Sequence, residues 1–293
     1  MRRWIALGAI AVTACAIAAC GDVNAALEQL SQARQLSAEL LVQFTKATDA
    51  SNRAVMADTD DVSVASAHEA EQAKQVVQRD VDALAPLLQR LNYTDEAGLL
   101  QDFVTRFAAY DALDRHVLDL AVENTNLKAQ RLSFGPAQQA ADAFRDAVDA
   151  LPASVPGKDA WRARAEVATA VAAVREIQAL QAPHIAEAED AAMARLETRM
   201  SASEAAARSA LGTLATIVPP GSQPKLTAAR TALDQFMHVN AEILALSHRN
   251  TNVRSLALSL TQKPALVAAC EDRLRALNEA LGKRGFGMSR FGK

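Results

Sequence analysis

Asn124-Thr125-Asn126 returns as Asn250-Thr251-Asn252, 126 residues further along the chain. The same shift carries Leu132-Ser133 onto Leu258-Ser259, Asp146 onto Asp272 and Ala150-Leu151 onto Ala276-Leu277. Upstream of the triplet, Leu100, Phe103, Phe107, Tyr110, Leu113, Val117 and Leu120 meet Leu226, Ala229, Leu233, Phe236, Val239, Ile243 and Leu246 at that interval. Steps of three and four residues place an apolar stripe on one face of a helix. The repeated element is therefore helical, and the chain is an internal duplication.

Punctuation divides each copy into four segments. In the first copy they span about residues 25–57, 63–91, 96–122 and 126–151. In the second they span about 159–181, 184–217, 223–249 and 252–281. The breaks fall at Asp58 to Asp61, Asn92 to Asp95, Pro152 to Gly157, Pro183 and Pro219-Pro220-Gly221. Val77, Val81, Leu84, Leu88 and Leu91 form a seam suited to left-handed bundle packing. Short joints between long helices favour antiparallel neighbours. The expected fold is all-α, two tandem up-down four-helix bundles: residues 20–151 and 158–282, behind a leader at 1–19 and before a basic tail at 283–293.

Composition agrees. Of 293 residues, 65 are Ala, only 4% are aromatic, and there are 11 Gly and 9 Pro. Ala has the best helix propensity, while strands favour β-branched and aromatic residues. The net charge of −3, with both signs interspersed, argues against a nucleic-acid partner.

Met1-Arg2-Arg3 is a short positive start, Trp4 to Ala19 is uncharged and mostly apolar, and Ile17-Ala18-Ala19-Cys20 ends the run with small residues before a cysteine. This pattern reads as a cleaved signal. Its last four residues resemble a bacterial lipobox, which implies lipidation of Cys20 and a membrane anchor through that lipid in the periplasm. Gly21 in place of Asp points to the outer rather than the inner membrane. Cleavage removes Arg2 and Arg3 and leaves Cys270 as the one cysteine free of lipid, so no internal disulfide is expected.

Ser51-Asn52-Arg53-Ala54-Val55-Met56 leads into the turn Thr59-Asp60-Asp61, and Leu118-Asp119-Leu120-Ala121 closes the third helix before a polar turn, with Lys128-Ala129 and Ala150-Leu151 following. In this order of signals the chain resembles the four-helix-bundle sensory domain of methyl-accepting chemotaxis receptors. The resemblance implies a shape that binds a small molecule or a partner protein. It transfers no binding residue by position, and the receptors' spanning helices and cytoplasmic signalling helix have no counterpart in the pattern.

Enzyme signatures are missing: the chain has no GxSxG, GxxxxGK[ST], HExxH or CxxC. No catalytic residue and no cofactor is expected. His116 with Asp119 and Glu123, His238 with Glu242, and His184 with Glu187 share helical faces. They read as solvated charge stripes such as Asp111, Arg115 and Asp119. Without a Glu-x-x-His pair no metal site is expected. Asn124, Asn126, Asn250 and Asn252 are the sharpest repeated polar residues. They read either as a ligand or partner contact at equivalent bundle ends or as helix-end chemistry, since Asn caps well and tolerates left-handed backbone. Pro86 aligns with Gly212 as a tolerated bend, Trp161, Tyr93 and Tyr110 as packing residues, and Lys283, Arg284, Arg290 and Lys293 as a solvated tail. The function expected is non-enzymatic, sensor-like binding by a lipid-anchored protein. The alternative is a structural or assembly lipoprotein of the envelope acting through helix-face contacts.

Overall fold

The described residues contain ten α-helices and no strand. The computed structural model describes residues 5–284, with side chains from residue 24 onward. The side chains of Ile17 to Cys20, and Arg290 and Lys293 in the tail, lie outside the described residues. No helix among the described residues is long and apolar enough to cross a membrane.

The first copy supplies α1 (Ile5–Val55), α2 (Asp60–Arg90), α3 (Thr94–Glu123), α4 (Thr125–Leu132) and α5 (Gln138–Asp149), with one π-helical turn at Ser133–Ala137 between α4 and α5. The second supplies α6 (Ala160–Ala186), α7 (Asp190–Ile217), α8 (Gln223–Arg249), α9 (Thr251–Thr261) and α10 (Lys263–Lys283). Three breaks differ from the sequence expectation. Helix α6 continues through Pro183 to Ala186, because a proline in a final turn removes only one hydrogen bond before the helix ends. The fourth segment of each copy is interrupted, at Pro136 in one and Gln262 in the other, and these positions are also 126 apart. Pro86 sits inside an unbroken α2.

The helices form two compact units, and neither corresponds to one copy of the repeat. Unit 1 takes residues up to 57, 61–122 and those from 258 onward, and unit 2 takes 58–60 and 123–257. Each copy thus begins in one unit and ends in the other, which corrects the expected division at 20–151 and 158–282. The reason lies in the joints. A single residue, Asn124 (φ 51) or Asn250 (φ 53), separates the third helix from the fourth segment. An antiparallel helix pair needs a loop of about 2–5 residues, so the fourth segment cannot fold back on its own third helix.

In unit 1, α1, α2, α3 and α10 share a core containing Leu40, Phe44, Val77, Leu84, Leu88, Phe103, Tyr110, Cys270 and Leu274. Phe44 meets Phe103, Phe107 and Tyr110 edge-on at centroid distances of 6.1, 6.1 and 5.0 Å, a favoured aromatic geometry. In unit 2, α5, α6, α7 and α8 share a core that includes Phe144, Val174, Ile177, Leu211, Leu233 and Phe236. Fully or nearly fully buried Ala33, Ala47, Ala50 and Ala73 in unit 1, and Ala163, Ala170 and Ala207 in unit 2, let helices approach closely where aromatics are few.

Candidate functional site

The four asparagines of the repeated triplets all fall in unit 2, where the two triplets meet. Thr125 N–H donates to Thr251 Oγ1 and Thr251 N–H to Thr125 Oγ1, both at 3.1 Å. Asn126 N–H donates to Asn252 Oδ1 and Asn252 N–H to Asn126 Oδ1, again at 3.1 Å. The side-chain amides close the ring: Asn126 Nδ2 reaches Asn250 Oδ1 at 2.8 Å and Asn252 Nδ2 reaches Asn124 Oδ1 at 2.9 Å. Two outward bonds tie the ring to the end of α6, from Asn126 Nδ2 to the Ile185 carbonyl and from Asn250 Nδ2 to the Glu187 carbonyl, at 2.7 Å each. Helix N-termini leave N–H groups without intrahelical partners, and a cap normally comes from the preceding residue. Here each copy caps the other. Asn124, Asn126 and Asn250 are buried in this contact, where they bond one another, Asn252 and the carbonyls at the end of α6.

Unit 1 carries a buried ionic layer that the sequence reading did not single out. Asp114 Oδ1 accepts from Lys263 Nζ at 3.0 Å and from Ser51 Oγ at 2.5 Å, while Asp114 Oδ2 lies 3.3 Å from Lys74 Nζ. Lys74 also meets Asp111 and Glu71, each at 2.9 Å. Lys263 further donates to Ser51 Oγ at 2.5 Å and Asn52 Oδ1 at 3.2 Å. Ser51, Lys74, Asp114 and Lys263 are all buried. Burial pushes the Lys263 ammonium below its ordinary value, with Asp114 opposing. Burial opposes the Lys74 charge too, but Asp111, Asp114 and Glu71 outweigh it and hold that group above its ordinary value. The difference follows from the number of carboxylates each lysine meets.

The repeat supplies an internal comparison. At the 126-residue shift, Ser51, Lys74, Asp114 and Lys263 correspond to Ile177, Met200, Asn240 and Ala137. Those four are also buried, in unit 2, with no charge among them. The layer is therefore a property of unit 1 and not a requirement of the helix arrangement. A sequence signal exists. Continuing the alternation of three and four from Tyr110 predicts position 114, and Asp114 is buried while Leu113 is only partly so. Leu113 and Leu120 of the apolar pattern are only partly buried, and the buried stripe runs through Asp114, Val117 and Ala121.

Beside this layer a groove of about 360 Å³ opens between α1 and α9–α10. Asn52 and Lys263 connect it to the layer, and Asp49, Ser259 and Glu271 stand on its walls.

Unit 2 brings together a second cluster. His184 at the end of α6, Glu197 on α7 and His248 on the last turn of α8 converge, with one potential ligand atom from each lying within 4.8 Å of the others. Glu197 Oε1 lies 2.8 Å from His184 Nε2 and 2.6 Å from His248 Nε2. Sequence spacing paired His184 with Glu187 instead, because convergence from three helices leaves no local motif. Burial alone would raise the Glu197 carboxyl, but hydrogen bonding to His184 and the neighbouring His248 imidazole hold it below the ordinary range. His238 with Glu242 is the exposed helical-face pair that the spacing predicted, at 3.2 Å.

Two other expectations change. Arg284 is held in place: it makes a two-pronged contact to buried Glu96 at 2.6 and 2.7 Å and lies 4.5 Å from the Tyr93 ring centroid. Trp161 stands on the surface, outside any core.

Compared with protein-family models, curated proteins and solved structures, the chain shows no significant match to any.

Proposed function

We propose that the chain is a non-enzymatic, lipid-anchored protein of the bacterial periplasm, held more readily at the outer membrane, whose unit 1 binds a small polar molecule in the groove beside Lys263. The bound state is then presented to another envelope component. The leader ending at Cys20 supports the anchor, and the likeness to chemoreceptor sensory domains supports binding without an output domain. One observation carries the reading: a buried ionic layer adjoins an open groove in unit 1, at positions where unit 2 is neutral. Replacing buried ion pairs with apolar residues is often neutral or stabilising, so stability alone does not account for the layer. Asp49 and Glu271 suit an amino group on the ligand, and Asn52 and Ser259 suit hydroxyl or carbonyl groups.

A thermal-shift screen of the purified full-length protein in detergent, against amino acids, amines and organic acids, tests this. A ligand that binds only the folded state raises the melting temperature, and at a hundred times its Kd stabilises by about 2.7 kcal/mol. Asp49→Ala should erase the shift, and no shift with any compound argues against the groove. Fatty-acid labelling of cells should fail for Cys20→Ala, and persistent labelling would refute the anchor.

One observation favours the alternative of an assembly protein acting through helix faces. Phe134 and Leu260, equivalent at the 126-residue shift, are 75% and 68% exposed in their respective units. Large apolar side chains held outward at one repeat position suit partner contacts. Loss of a co-purifying envelope protein from Phe134→Ser, without loss of fold, would support that reading.

A further inference from the structure

We propose that His184, Glu197 and His248 form a binding site for a divalent first-row transition ion of the zinc–copper group, with a coordination position left to solvent. The site lies in unit 2 and takes a different class of ligand from the groove of unit 1, so it stands apart from that reading.

Ser247 Oγ donates its single proton to the His184 carbonyl at 2.8 Å. Its contact with His184 Nδ1 at 2.9 Å is therefore one in which the serine accepts and Nδ1 carries the hydrogen. His184 Nε2 then has a free lone pair unless the fully buried ring is doubly protonated. That lone pair points at the Glu197 carboxylate, 2.8 Å away. Two electron-rich atoms at this distance repel each other, and something positive must lie between them. A proton serves one such contact. A metal ion serves all three groups at once, because His248 Nε2 approaches the same carboxylate oxygen from another helix at 2.6 Å.

The donor set matches the chemistry. Two imidazoles and one carboxylate are the protein ligands of open zinc sites, with water or substrate in the fourth position. A ligating histidine almost always donates its other N–H to a second group that fixes its tautomer, which Ser247 does here. Imidazole ligands select zinc, copper, nickel or iron over magnesium and calcium. Bond lengths of about 2.0–2.2 Å place tetrahedral ligand atoms about 3.3 Å apart. The atoms here lie within 4.8 Å of one another, and the two contacts to Glu197 Oε1, at 2.8 and 2.6 Å, are shorter than that, so the carboxylate must draw back to admit the ion. Glu197 and His248 are 31% and 46% exposed, so both can adjust by side-chain rotation, while buried His184 is the fixed ligand. The ion would tie α6, α7 and α8 together beside the asparagine ring.

Titration of the full-length protein in detergent, stripped of metal, with zinc chloride by calorimetry tests the site. Cobalt(II) absorption reports the coordination geometry. The expected result is one equivalent of zinc per chain. Affinity should fall at least tenfold in His248→Ala, whose exposed position leaves folding intact. Ser247→Ala should weaken binding by about 10- to 100-fold, the range for losing a partner of a ligating histidine. His238→Ala is the control, since its pair with Glu242 has the same chemistry on a single exposed helix. The proposal is overturned if the wild-type protein takes up no more zinc than His248→Ala, or if His238→Ala weakens binding equally.

Discussion

Thr125 and Thr251 cap each other's helices: each hydroxyl accepts the other's backbone N–H at 3.1 Å, and the two hydroxyls lie 3.2 Å apart. The exchange works because each triplet begins with an asparagine in left-handed backbone, at φ 51 and φ 53, which turns the following N–H groups outward from their own chain. A motif read twice along the sequence is thus one structure in space, and its two halves serve each other.

Thr125→Ala and Thr251→Ala should each destabilise unit 2 by about 0.5–2 kcal/mol, the range for losing a helix cap. The two losses should not add, because each threonine acts on the other, and a coupling of about 0.5 kcal/mol or more is expected. Urea denaturation of both single variants and the double variant measures it. Simple additivity would mean that the caps act independently.

Asparagine at positive φ serves two purposes that one pair of substitutions separates. Asn92 (φ 55) is exposed, so Asn92→Gly should be neutral or slightly stabilising, since glycine adopts this backbone without steric cost. Asn250→Gly gains the same relief but loses the bonds to Asn126 and the Glu187 carbonyl, so it should lower stability. Thermal melts of the two variants should move apart.

Asp114 neutralises two buried lysines, so Asp114→Ala should cost about 3–5 kcal/mol, as for breaking any buried ion pair from one side. Transplanting the unit 2 set, Ser51→Ile, Lys74→Met, Asp114→Asn and Lys263→Ala together, should recover that loss, because unit 2 packs those residues at the same positions. Chemical denaturation compares them. A quadruple variant as unstable as the single one would show that unit 1 needs its charges to fold.

Alkaline pH should weaken unit 1 selectively. Burial pushes the Cys270 thiol up to about 12 from an ordinary value of 9.0, and burial with the Asp114 charge pushes the Tyr110 phenol well above its ordinary range. Both groups are neutral when protonated, so their contribution is intact below the unfolded values and is lost as pH rises through the folded ones. For Cys270 the window runs from about pH 9 to 12. The equivalent positions in unit 2 are Phe144 and Phe236, which do not titrate. Hydrogen exchange across that range should show unit 1 opening first, and Cys270 should resist thiol reagents at pH 8 in the folded protein.

Acid acts through Glu96. The Arg284 contact holds its carboxyl below the ordinary 4.5, with burial opposing. Its stabilisation is therefore present above about pH 4.5 and disappears as pH falls through the folded value. Arg284→Gln should cost about 1 kcal/mol at neutral pH, because solvent screens the exposed guanidinium, and should flatten the acid dependence. An unchanged slope in acid melts would exclude the pair as its source.

The sequence alone determined the helical class, the duplication and most helix ends, because apolar spacing, alanine content and breaking residues are local properties. Leu100 through Tyr110 and their counterparts showed the core face directly. Partner choice was not legible. Whether the segment after Asn124 folds back on its own copy depends on a one-residue joint and on which apolar face it meets, and both are settled only when distant helices pack. The same holds for the site residues. Asp114 hid in an apolar stripe because a single polar residue does not break a helical period. His184, Glu197 and His248 lie on three helices and share no spacing. Tertiary structure decided these groupings, because it brings together charges and lone pairs that the chain keeps dozens of residues apart.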